Sequence, residues 1–281
     1  MNINNLEANN MKNKSSSEDF LKLKKDVTKP KVSWLICTNV CNEYFRLSIE
    51  SCLSQSYDDF EIILVINGDQ RDLIYNNVVS WYKDNKKIRI FVTELKHVIF
   101  SLSLGLHYAK GDLIARMDSD DISKPNRLRS QVDFMNQFPE IDILGSDYEI
   151  INNKGEIINF VNVPKTDKDI RKKLIYKNPL CNPSVIFRKK TVTNIGGYLG
   201  SLHSEDYDLW MRLATKTNAK FASLNGYYLQ YRDEGSEARG SLNAFTSQAS
   251  TQFNLFLDGH GIIWLLASFL SCLKLIKYKF F

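Results

Sequence analysis

The chain has 281 residues, 43% of them hydrophobic and 12% aromatic, with a formal charge of +5. That is enough apolar material for one large domain, or a domain with a small appendage, and it excludes a mainly disordered chain. Scattered Lys and Arg exclude a nucleic-acid-binding block, and five cysteines without a Cys-x-x-Cys pair argue against zinc and for free thiols in a reducing compartment.

Residues 1–30 are polar, rich in Asn, Lys and Ser, and lack the apolar stretch of a secretory signal; they read as a flexible arm. Strand and helix patterns then alternate. Residues 32–37 form a buried-strand run, and 42–55 carry Phe45, Ile49, Cys52 and Leu53 at helical spacing. Phe60–Ile66 is a second strand, ending at the turn Asn67-Gly68-Asp69. Residues 72–83 read as a helix, Ile88–Val92 as a third strand, and 101–109 as a helix with Gly111 as its C-cap residue. Leu113–Met117 is the fourth strand and runs straight into Asp118-Ser119-Asp120-Asp121. Pro125 then opens a helix with Leu128, Val132 and Met135 on one face.

Further on, 142–145 and 184–187 read as strands, and 148–151 with 156–161 as a hairpin around Asn153-Lys154-Gly155. Residues 167–176 give a basic helix, and 207–214 a helix with Trp210 and Leu213 on its apolar side. The alternation predicts an α/β fold with a mostly parallel sheet covered on both faces. Ligands then bind outside the carboxyl ends of the strands, where Asn67 and Asp118 sit. The layout is an arm over 1–30, a domain over 31–235 and a helical tail over 236–281. Within the tail, 262–270 are strongly apolar and Lys274, Lys277 and Lys279 follow. The run is shorter than the roughly 20 residues a spanning helix needs. It suits a helix lying in a membrane interface, or one packed on the domain or on a second subunit.

Three carboxylates within four residues repel one another unless a cation neutralises them or water screens them. Hard oxygen ligands at a strand end suit Mg²⁺ or Mn²⁺. The plainer alternative is a solvated loop that caps the following helix. Ser204-Glu205-Asp206 poses the same choice, between capping a helix and carrying a catalytic carboxylate.

The blocks Asn42-Glu43, Gln55-Ser56-Tyr57-Asp58-Asp59-Phe60-Glu61, Ala109-Lys110-Gly111-Asp112 and Met117-Asp118-Ser119-Asp120-Asp121 resemble the N-terminal half of family 2 glycosyltransferases. Asn178-Pro179, Pro183-Ser184-Val185, Gly196-Gly197-Tyr198 and Glu205-Asp206-Tyr207-Asp208-Leu209-Trp210 continue the resemblance in order, over roughly residues 31–232. It implies a GT-A fold and inverting transfer of a sugar from a nucleotide-diphosphate donor, a UDP-sugar, to a saccharide or lipid-linked saccharide. Surface-polysaccharide synthesis (capsule or lipopolysaccharide) at the inner face of the cytoplasmic membrane is the implied setting.

By the same resemblance, Asp120 and Asp118 hold Mn²⁺ or Mg²⁺, with Asp118 shared between metal and donor. Thr38, Asn39, Glu43 and Asn67 contact the nucleotide, Asp206 is the base, and Glu205 and Trp210 meet the acceptor. Several positions depart from the family pattern. Asn67 stands where the family has an Asp for the uracil N–H, and Cys41 replaces the aromatic before Asn-Glu. Asn182 replaces a His, and Asp233-Glu234 follow Arg232 where a His would complete a metal shell. Two alternatives stay open: a catalytically weak nucleotide- or glycan-binding relative, and a metal-dependent nucleotidyltransferase.

Overall fold

Alternation along two strands decides the centre of the molecule, a computed structural model that describes residues 31–200, 203–233 and 242–280 (277–280 as backbone only). The arm expected over 1–30 lies outside the described residues. In β1 (Val32–Thr38) and β2 (Phe60–Ile66), Trp34, Ile36, Ile62 and Leu64 face one side of the sheet, while Leu35, Ile63 and Val65 face the other. Every residue of β2 is buried, as a parallel interior strand covered on both faces requires. β3 (Ile88–Val92) and β4 (Leu113–Met117) join in parallel, in the order β3-β2-β1-β4.

The intervening helices supply the covers. α1 (Glu43–Leu53) starts at Asn42, whose Oδ1 accepts a hydrogen bond from Phe45 N at 2.9 Å. Its Phe45, Ile49 and Cys52 pack with Ile74 and Val78 of α2 (Arg71–Tyr82) on one face. Leu102 and Leu106 of α3 (Val98–Tyr108) cover the other. This helix starts three residues before its expected position, because His97 caps it by accepting from Ile99 N.

Gly111 does not cap that helix; Ala109 occupies the cap. A Cβ on Gly111 would lie 2.5 Å from Ser33 N and 2.7 Å from Val32 C, so the residue is needed for close backbone approach to β1. Buried Glu61 fixes the same corner, accepting from Ser33 Oγ at 2.7 Å, Arg89 at 2.8 Å and Lys110 N at 2.6 Å. Burial alone would raise its pKa, but these bonds hold the carboxyl below its ordinary value.

Beyond β4 the sheet becomes mixed. The chain continues through β5 (Ile122–Ser123), α4 (Arg127–Gln137), β6 (Ile141–Ile151), β7 (Ile157–Val161), α5 (Asp167–Leu174), β8 (Ile186–Arg188), α6 (Lys189–Thr193), α7 (Glu205–Lys216) and β9 (Lys220–Arg232). The strand order runs on as β8-β6-β9-β5, with β8 antiparallel to both β4 and β6, and β6 parallel to β9. Parallel pairing thus joins the first four strands and the long β6–β9 pair, and the antiparallel pairs are those made by β8, β7 and β5. The strands expected at 142–145 and 148–151 are one, β6, whose register against β9 shifts around Asp147.

The tail forms α8 (Leu242–Leu257) and α9 (Ile262–Phe280). Leu255 and Trp264 join the core cluster that holds Trp210 and Leu213 of α7. Buried Gln252 ties three elements together, donating to Ile175 O at 2.9 Å and accepting from Ser271 Oγ at 2.7 Å. Among the described residues, no helix is long and apolar enough to cross a membrane.

Candidate active site

Strand register sets one side of the site. Thr38 pairs with Ile66, and Ile36 with Met117, so Asn39, Asn67 and Asp118 emerge together at the carboxyl rim. Asn67 N donates to Thr38 O at 2.9 Å. The buried Asn67 side chain donates through Nδ2 to Ser101 Oγ at 2.7 Å. Thr38 Oγ1 donates to Val40 O at 2.8 Å, so its side chain shapes the loop. Asn39 lies against Gly68, whose φ of +86° and tight approach to Asn39 Cβ favour glycine. Glu43 is exposed in the first turn of α1.

The acidic loop is held from several directions. Ser48 Oγ donates to Asp118 O at 2.8 Å. Buried Gln55 donates to Lys124 O and accepts from Leu128 N, both at 3.0 Å. Arg232 Nε donates to Asp120 O at 2.9 Å, and Arg232 N to Asp121 Oδ1 at 2.8 Å; its guanidinium lies 4.1 Å from the Tyr44 ring centre. Asp121 is fully buried and fastens the loop to β9, while Asp120 is exposed and Asp118 is half-buried.

Beneath Asp118 lies Arg116, 2% exposed. It donates to Asp118 Oδ1 at 2.6 Å, to Leu35 O at 2.6 Å and to Met117 O at 2.9 Å. Burial opposes its charge, but Asp118 and, further off, Glu205 hold its pKa above the ordinary value. Asp118 and Asp120 fit Mn²⁺ or Mg²⁺, which take one or two carboxylates and complete their shell with phosphate oxygens and water. Among the described residues no cluster of three ligating His, Cys, Asp or Glu side chains forms.

The second half of the site is the start of α7. A cleft of about 590 Å³ brings Asp118, Asn178, His203, Glu205 and Asp206 together. Thr38, Asn39, Glu43, Asn67 and Asp120 are not among its lining residues. Asp206 Oδ2 accepts from Asn178 Nδ2 at 2.8 Å, and Oδ1 from Tyr207 N at 2.7 Å. The helix-capping and catalytic readings are thus compatible: one oxygen serves the backbone while the carboxylate still faces the cleft.

Burial pushes both carboxyls up. Asp206 stands above its ordinary value despite the bonds from Tyr207 and Asn178. Glu205 is raised to about 7 by burial and then by neighbouring Asp206. A carboxyl raised in this way holds its proton more tightly in the folded state, so its contribution to stability falls as pH rises from about 4.5 towards 7. Glu205→Gln is therefore expected to raise the Tm at about pH 8 in EDTA, and to leave it unchanged near pH 4. Equal shifts at both pH values would show that the Glu205 charge is not what is relieved.

Trp210 requires a correction. It is fully buried, and its ring meets Phe187 edge-on at 6.3 Å, so it supports α7 from within the core and does not reach an acceptor. Two residues with no role assigned from sequence belong to the site instead. Arg116 is an arginine inside an otherwise apolar strand, immediately before the acidic run; that position was its one available signal. Asn178 stands in a block of the family resemblance, but its role needs the tertiary fold, which alone brings it to Asp206.

Residues 33–194 match the family profile described as Glycosyl transferase family 2. The chain is 32% identical over 243 residues to the O-antigen biosynthesis glycosyltransferase WbnJ of Escherichia coli, covering 86% of this chain and 93% of that protein. It is 27% identical over 232 residues to the E. coli UDP-Gal:alpha-D-GlcNAc-diphosphoundecaprenol beta-1,3-galactosyltransferase, covering 81% and 84%. The mannosyltransferase PcManGT of Pyrobaculum calidifontis, solved with GDP-Man and Mn²⁺, superposes with a TM-score of 0.63 at 12% identity, covering 91% of this chain and 78% of that one. This last likeness concerns the fold alone.

Proposed function

The chain belongs to glycosyltransferase family 2 and has its GT-A fold, and from that premise we propose a metal-dependent, inverting transfer of sugar from a UDP-sugar to a saccharide or lipid-linked saccharide. The observation that carries this reading is the cleft that Asp118, at the end of β4, and partly buried Asp206, at the start of α7, line together. Family membership retires the nucleotidyltransferase alternative. The relatives named for O-antigen synthesis and for a UDP-Gal donor support the polysaccharide setting and the uridine nucleotide.

Asp118 and Asp120 would hold Mn²⁺ or Mg²⁺, and such an ion supplies positive charge to the departing diphosphate. Asn67 has Nδ2 committed to Ser101, so Oδ1 is the atom that accepts the uracil N–H. On the other side, Asp206 takes the proton of the acceptor hydroxyl as that oxygen bonds to the anomeric carbon. The oxygen approaches from the face opposite the leaving UDP, so the configuration inverts. Asn178 and Tyr207 N fix the carboxylate for this attack. Glu205, protonated or charged near neutral pH, orients the acceptor from the adjoining position.

Docking at the inner face of the cytoplasmic membrane completes the proposal. Ile262, Leu266, Phe269, Leu273 and Ile276 expose 45% or more of their surface along one side of α9, and exposed Lys274 of the same helix suits anionic headgroups. The apolar side could equally pair with a second copy of the chain, which sedimentation in detergent would reveal.

The reading is tested by incubating the protein with Mn²⁺ and a panel of nucleotide-sugars and measuring nucleotide diphosphate released with and without lipid-linked acceptor. Acceptor-stimulated UDP release is expected, and binding without turnover would count against it. Asp120→Ala is expected to weaken UDP-sugar affinity about tenfold or more in Mn²⁺ while leaving the weak affinity in EDTA unchanged. Equal affinity in Mn²⁺ would remove Asp120 from the metal shell.

A further inference from the structure

Asn67 follows β2 and Ser101 lies in the first turn of α3, and their side chains meet at 2.7 Å. Ser101 is fully buried and Asn67 is 7% exposed. Both backbones are fixed around this contact. Asn67 N donates to Thr38 O at 2.9 Å, Thr93 N to Ile66 O at 3.0 Å, and Ser101 N to His97 O at 3.1 Å. The freedom left to the Asn67 side chain is therefore a half-turn of its amide. Among the described residues, the Ser101 hydroxyl has no hydrogen-bond partner besides Asn67, and the outward atom of the amide has none.

A serine hydroxyl both donates and accepts, whereas an amide has one donor end and one acceptor end. With Nδ2 inward, Asn67 donates to Ser101 Oγ and presents Oδ1 outward. With the amide reversed, Ser101 donates to Oδ1 across the same heavy-atom contact, and Nδ2 faces outward. Each arrangement pairs the inward amide atom, and the second also gives the buried hydroxyl proton an acceptor, so neither is strongly disfavoured. The charges nearby do not choose between them, because Asp69 pairs with Lys96 and Glu94 with Arg71. A carboxylate in place of Asn67 can only accept.

Uracil and cytosine differ at the atom such a group meets. N3 of uracil carries a proton and needs an acceptor, while N3 of cytosine is unprotonated at neutral pH and needs a donor. We propose that Ser101 makes Asn67 a two-way reader of the base, so that the donor site takes cytidine as well as uridine diphosphates. Ser101 is the positioning residue, since it holds the amide equally well in either sense. The inference rests on the reading above that Asn67 meets N3 of the donor base.

Binding of UDP, CDP and 3-methyl-UDP in Mn²⁺ at neutral pH reads the base without turnover. The wild type is expected to bind CDP within about fivefold of UDP, and 3-methyl-UDP, whose N3 neither donates nor accepts, about tenfold or more weakly than either. Asn67→Asp is expected to keep UDP and lose CDP by about tenfold or more, because carboxylate lone pairs then face the lone pair of cytosine N3. Ser101→Ala, with its Tm checked, is expected to weaken UDP and CDP by the same factor. The ratio of the two affinities is the decisive readout, since partial unfolding lowers both alike. CDP bound about thirtyfold or more weakly than UDP by the wild type would overturn the proposal. A loss confined to one nucleotide in Ser101→Ala would do the same by showing a fixed amide, and 3-methyl-UDP bound as well as UDP would take Asn67 away from N3. Failure of the transferase reading would appear separately, as no nucleotide released from any donor, whatever the ratio of affinities.

Discussion

Asp206→Asn is expected to lower kcat for sugar transfer by about 10²–10⁴-fold while leaving Mn²⁺-dependent affinity for the UDP-sugar close to that of wild type. The substitution keeps size and shape and can still accept from Tyr207 N, so the start of α7 is retained. What it removes is a group able to take a proton from the acceptor hydroxyl. The split between transfer and donor binding is the diagnostic part. Asp206 meets Asn178 and Tyr207 on the α7 side of the cleft, whereas Asp118 and Asp120 follow the end of β4. Near-normal turnover would assign Asp206 to helix capping, and a parallel loss of donor binding would show that the variant disturbs the whole cleft.

Arg116→Leu is expected to be the most damaging change outside the two carboxylate groups. The guanidinium is 2% exposed and makes three short hydrogen bonds, one of them to Asp118. Removing one partner of a buried charged pair typically costs about 3–5 kcal/mol. Asp118 is 38% exposed, so water can compensate part of its charge, and about 2–4 kcal/mol is the expected loss. Thermal or urea unfolding measures it. The variant should also deprive Glu205 and Asp206 of the buried cation that lowers them, raising both carboxyls and moving the acid limb of the pH–rate profile upwards. Arg116→Lys should be intermediate, since one ammonium cannot match the three-way reach of the planar group. A stable variant with an unmoved profile would show that Arg116 is merely space-filling.

The first half of the fold was legible because its physics is local. Strands buried on both faces read as continuous apolar runs, and α1 and α4 carry their core residues at helical spacing. The second half was harder. β9 is only half-buried for much of its length and is interrupted by Gly226 at φ +112°, so its alternation is too weak to announce a strand of 13 residues. Gly111 carried a true signal that was read wrongly. Its need for glycine comes from β1, 78 residues away in the chain when measured to Ser33, and no local pattern reports such an approach.

The site divides in the same way. Asp118 and Asp206 stood out because carboxylates occur in short, dense blocks, and the fold does gather both into one cleft. Trp210 was drawn in by its neighbourhood to Asp206. Four residues along a helix is about 6 Å, enough to pass from the cleft edge into the core. Arg232 clamps the backbone carbonyls of Asp120 and Asn152, contacts that no local pattern reports.

The most direct test of the two-sided cleft is the anomeric configuration of the product, followed by proton NMR during turnover of an α-linked UDP-sugar. The account requires a β-linked product, with one UDP released per bond formed and both signals lost in Asp206→Asn. An α-linked product, or a β-linked product formed at the wild-type rate by Asp206→Asn, would contradict it.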